Sequence, residues 1–126
     1  MKLEIIDPPR VFQTGFDEPI FLSDCAHITL EPDEQVTFFT ETGAEYDVAR
    51  KDWGFYATPS LNGRLQRFGL RGVLVKNRIG QYFVMLIKKG WEGVFDRYLE
   101  SEKLKVITWL DNSEILENLE TKLALP

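Results

Sequence analysis

Residues 53–72 read WGFYATPSLNGRLQRFGLRG and combine arginine, amide, hydroxyl and aromatic side chains without one carboxylate. Read as a short helix, the stretch becomes chemically coherent. Thr58 suits an N-cap, Pro59 the first helical position and Gly69 the stop. Leu61, Leu65 and Phe68 then pack inward, while Ser60, Arg64 and Arg67 share an adjacent stripe. Helical side chains lean toward the N-terminus, so Arg64 is expected to reach back over the free N–H groups of the first turn. Those groups and a guanidinium together suit an anion. Trp53, Phe55 and Tyr56 precede the stretch and supply rings to wall a site or stack on a ligand. The candidate ligand-binding set is Trp53, Tyr56, Ser60, Asn62, Arg64 and Arg67. Gly63 counts against a long helix, because glycine costs about 1 kcal/mol relative to alanine inside one.

The charge distribution points the same way. Between Arg50 and Lys89 lie nine basic residues and one acid, Asp52; the rest of the chain holds six basic and nineteen acidic residues. The net charge is −5. Two outcomes are open for the basic window: a face that attracts an anion, or salt bridges to the acidic remainder. The acidic balance disfavours nucleic acid, whose phosphates would also meet that remainder.

Other reactive types are sparse. Cys25 and His27, the only cysteine and histidine, lie two residues apart and share a face if extended, with Asp24 on the other. A nucleophile and base is the catalytic version, yet nothing local offers to stabilise a thiolate. No further Cys or His completes a zinc set. The carboxylate pairs Asp33/Glu34, Glu45/Asp47 and Asp17/Glu18 fall in turns or on polar strand faces. Phosphate-loop, dinucleotide, nucleophile-elbow and zincin motifs are missing. These features weigh against an enzyme, and no catalytic residue, metal ligand or cofactor is assigned. The expected function is a non-catalytic binding or accessory protein that holds a phosphate- or carboxylate-bearing small molecule at 53–71. The alternatives are a metal-independent enzyme using Tyr56, His27 or Cys25, and an interaction module for a partner protein or single-stranded nucleic acid.

The elements that must position these residues follow from hydropathy. At 126 residues with 44% hydrophobic and 28% charged composition, a single domain with its own core is expected. Residues 1–24 contain Pro8, Pro9, Gly15 and Pro19 and read as largely irregular, with an edge strand at 3–6. AHITLE, QVTFFTE and EYDVAR alternate as strands around PDE and TGA turns, and WGFYA adds a fourth. GVLVK and QYFVMLIK flank an NRIG loop and are apolar on both faces, so both are expected at a sheet centre. Trp91, Val94, Phe95, Tyr98 and Leu99 form one helical stripe. LKVITWL returns as a strand, reached by a crossover that allows a parallel pairing. Asp111 is the expected cap of a last helix, with Glu114 as its capping-box partner and Ile115, Leu116, Leu119 and Leu123 buried. The expected fold is α+β: an N-terminal antiparallel β-meander, then a β-β-α-β-α unit, in one compact domain over 1–126. MKLEIIDPPR has no apolar core of a signal peptide, and no apolar run spans a bilayer. A cytoplasmic protein without membrane contact is expected, its oligomeric state unassigned.

Overall fold

The computed structural model describes residues 1–124 and is α+β, with eight strands and three helices among them. Contacts divide the chain into two compact units. The first holds Met1–Thr37 and Asp47–Thr58; the second holds Phe38–Tyr46 and the chain from Pro59 onward.

Strands β1 (Lys2–Thr14) and β2 (Ile20–Thr29) open the first unit as an antiparallel hairpin. Regular pairing thus replaces the irregular chain expected over 1–24. Of the prolines that argued for irregularity, Pro8 and Pro9 sit where the register breaks, between Ile5 and Arg10, and Pro19 lies in the connection before β2. A residue without an N–H is tolerated there, because no ladder bond is required. β2 therefore pairs with β1 rather than joining the meander. That meander is the sheet β3 (Gln35–Phe39), β4 (Glu45–Lys51) and β5 (Gly54–Ala57), in that order.

The second unit is built on β6 (Leu70–Lys76), flanked by β7 (Tyr82–Lys88) and β8 (Lys105–Trp109), both antiparallel to it. β6 takes the central position its apolar sequence demands, and Val73 and Val75 are fully buried. β7 departs from expectation: it is an edge strand, with Tyr82, Phe83 and Val84 exposed. β8 runs parallel to β7 but on the far side of β6, so the two never pair directly. The crossover between them is α2 (Glu92–Glu102), which inserts Phe95 against Val73, Val75 and Ile87. Trp91, Val94 and Tyr98 of the expected stripe stay exposed. Gly80 adopts φ +86° in the β6–β7 loop, as the tight turn requires.

A second cluster unites Ala44, Leu65 and Leu70, with Tyr46, Leu61 and Leu86 packed around it. Burial there raises the Tyr46 phenol pKa. Leu65 comes from α1, which spans only Arg64–Arg67 with Gly63 as its N-cap. Thr58 and Pro59 do not start it. A Cβ at Gly63 would stand 2.5 Å from Ser60 Oγ, so a larger residue there would displace the hydroxyl that accepts from the Arg64 N–H. The last helix, α3 (Ser113–Leu123), is capped by Asn112, whose Oδ1 accepts from the N–H groups of Glu114 and Ile115. Asp111 is unavailable for that role because Arg71 engages it. None of Ile115, Leu116, Leu119 and Leu123 is buried.

No described helix is long and apolar enough to cross a membrane. Leu65 is 1% exposed and packs α1 against Leu70 of β6 and Ala44 of the β3–β4 turn. Leu65→Ala is expected to cost about 3 kcal/mol in urea unfolding, the usual cavity penalty for a buried leucine.

Candidate functional site

The six residues singled out from the sequence fall into both units. Trp53 and Tyr56 lie in the first, stacked at 5.9 Å between ring centroids and largely exposed. Ser60, Asn62, Arg64 and Arg67 lie in the second. Ser60 Oγ accepts from the Arg64 N–H, and the Asn62 amide donates to Ser113 Oγ at 3.1 Å. The Arg64 guanidinium lies 5.3 Å from the centroid of the Phe68 ring, so it extends forward along the chain rather than back over the first turn. A helix of four residues also has too small a dipole to hold an anion at its start. Those details remove the helix-start site in its expected form.

Arg67 instead lines a pocket of about 280 Å³ within the second unit. Its walls are the Thr42–Ala44 turn, the Arg67–Gly69 segment, and Lys88, Lys89 and Trp91. The local chain geometry explains why these meet. Phe68 C=O accepts from the Glu45 N–H, and Gly69 C=O accepts from the Lys89 N–H, at 3.2 and 2.9 Å. Gly69 adopts φ +83°, the left-handed turn that ends α1 and starts β6. Lys88 Nζ donates to Thr42 Oγ1 at 3.2 Å and sits 4.2 Å from the centroid of the Trp91 ring. Arg67 and Lys89 are exposed and have neither a salt bridge nor a side-chain hydrogen bond among the described residues. No carboxylate lines the pocket. Lys88, Lys89 and Trp91 were absent from the expected set; the basic window between Arg50 and Lys89 contained the lysines, but only the pairing of β7 with β6 brings them to Arg67.

Arg50, Lys51 and Arg71 of the basic window are committed elsewhere. Arg71 Nε donates to Asp111 Oδ2 at 2.6 Å, and its NH1 donates to Glu92 Oε2 at 3.4 Å. Its guanidinium stacks 4.0 Å from the Trp109 ring centroid. The Asp111 hydrogen bond raises the Arg71 pKa further. Glu92 is held below the usual carboxylate range by the N–H of its own residue, against an opposing effect of burial, with the Gly90 N–H and Arg71 adding to the lowering. Lys51 pairs with Asp33, which raises its pKa, and Arg50 donates to the Leu30 carbonyl.

The candidate catalytic residues do not assemble into a nucleophile and base. His27 Nε2 lies 3.1 Å from Asp24 Oδ2 and Nδ1 lies 3.9 Å from Glu4. Asp24 thus reaches His27 despite the opposite face expected for it, at the point where the β1 register breaks. Cys25 Sγ donates to the Ser23 carbonyl and is exposed. Asp47 is buried and accepts from Thr37 Oγ1, and Glu34 accepts from the Glu31 N–H, the main cause of its lowered pKa. No cluster of potential metal ligands exists among the described residues.

A carboxylate whose folded pKa is depressed contributes stability above its unfolded pKa, and that contribution is lost as pH falls through the folded value. Glu92→Gln is therefore expected to flatten the acid limb of the stability profile, measured by urea unfolding between about pH 7 and about pH 3. An unchanged limb would show that Glu92 is not held in the folded state. Arg71→Met leaves Asp111 without its cation and is expected to cost about 2 kcal/mol in the same assay at neutral pH.

Comparison of the chain with protein-family models, curated proteins and solved structures finds no match.

Proposed function

We propose that this chain is a non-catalytic binding or accessory protein whose ligand is a small molecule bearing phosphate or carboxylate, seated between Arg67, Lys88 and Lys89. One observation carries the reading: three cations and no carboxylate line a single pocket of about 280 Å³. In a chain of net charge −5, this arrangement leaves the electrostatic demand of Arg67 and Lys89 unmet from within. The volume suits a fragment-sized anion rather than a polymer. Gly43, Gly69 and the neighbouring backbone form smooth walls, and Trp91 offers an apolar flank beside Lys88. The lining side chains are suited to attraction and orientation, with no carboxylate or imidazole among them to move a proton.

Amide chemical-shift titration with inorganic phosphate tests the reading. Saturable shifts are expected at Thr42–Ala44, Arg67–Gly69 and Lys88–Trp91, weakening as salt is raised. Arg67→Ala combined with Lys89→Ala is expected to weaken binding by about tenfold or more, since each removes a charge-assisted contact. Both side chains are exposed, so the fold is expected to persist. Absence of shifts with phosphate and with a simple carboxylate such as acetate would overturn the proposal.

A further inference from the structure

The β1–β2 hairpin leaves an apolar face uncovered. Cross-strand partners share a face of an antiparallel ribbon, and residues two apart along a strand return to it. The register puts Leu3 beside Ile28, Ile5 beside Ala26 and Phe12 beside Leu22, all on one face because β2 is paired without a break of its own. The opposite row holds Lys2, Glu4, Ser23, His27 and Thr29, with Val11 and Phe21 as its large apolar members. An amphipathic ribbon lays its apolar row on a core. Here Leu3, Ile5 and Leu22 are 53%, 64% and 48% exposed. No third strand joins β1 and β2 among the described residues, and a two-stranded ribbon alone is marginal in water.

Charge favours a like partner. Among the ladder-paired residues of the apolar face, the charged ones are Arg10 and Asp24, opposite in sign and 3.6 Å apart near its middle. A two-fold axis lying between the two ribbons and running along the strands over that point sets each Arg10 against Asp24 of the other copy, so the face is complementary to itself in that arrangement.

We propose that the apolar face of the β1–β2 hairpin is closed by the same face of a second copy of this chain. Sedimentation equilibrium of the full chain over about a hundredfold concentration range tests this by mass action. The expected species has twice the monomer mass of 14.6 kDa. Ile5→Lys and Leu22→Lys are each expected to weaken the dimer by about tenfold or more while far-UV circular dichroism stays unchanged, because both side chains are open to solvent within one chain. Arg10→Asp is expected to weaken it as well, and the double exchange Arg10→Asp with Asp24→Arg to restore it. A monomer at every concentration would overturn the proposal and leave the face to a different partner protein. A dimer that survives all three single hairpin variants but dissociates with Val84→Lys on β7 would overturn it equally.

Discussion

Arg71 is the interaction on which the second unit depends. It stands on the central strand β6, yet its guanidinium reaches the end of β8 through Asp111 and the start of α2 through Glu92. The plane of the guanidinium rests on Trp109, whose ring in turn meets Phe95 from the helix edge-on at 6.2 Å. A planar cation with a fixed fork of donors can satisfy two carboxylates and still stack on a ring, and lysine cannot. Strand, helix start and strand end are therefore tied at one point beside the Val73–Val75–Phe95 core. Gln66 adds a further strap, its amide donating to the Asp111 carbonyl.

This tie has a consequence for electrostatics. Asp111 and Glu92 are both consumed by Arg71, and Asp33 by Lys51, so the acidic half of the chain neutralises part of the basic window. Such pairing is the ordinary fate of sequence-local charge. Arg67 and Lys89 escape it. They flank a turn and an edge-strand end at a pocket that no carboxylate lines, and their like charges are kept there by backbone bonds to Phe68 and Gly69. The same chain thus uses arginine in two ways: as a structural clamp where carboxylates converge, and as an open cation where they do not.

The first unit shows the opposite economy. Its hairpin satisfies backbone hydrogen bonds over nine residue pairs but leaves most of its large apolar side chains in solvent. Regular pairing fixes which residues share a face, and that sorting separates Leu3, Ile5 and Leu22 from Glu4 and His27 without supplying a core. The hairpin is organised locally and incomplete in burial.

The α+β class, the apolar centre at β6, the NRIG loop and a helix carrying the Trp91–Leu99 stripe were legible in the sequence because each rests on local periodicity or turn chemistry. The basic window was legible as a charge count, and Arg67 as one of its members. The hairpin over 2–29 was hidden by prolines whose cost depends on register, a property of two strands rather than one. Likewise, capping passed from Asp111 to Asn112 because a residue forty positions away claimed the carboxylate. Local sequence determined which segments extend, turn or coil, and where positive charge concentrates. Only the tertiary structure decided which cations meet carboxylates and which line a pocket, because pairing over long sequence separations depends on strand order, and strand order is set by the packing of the whole core.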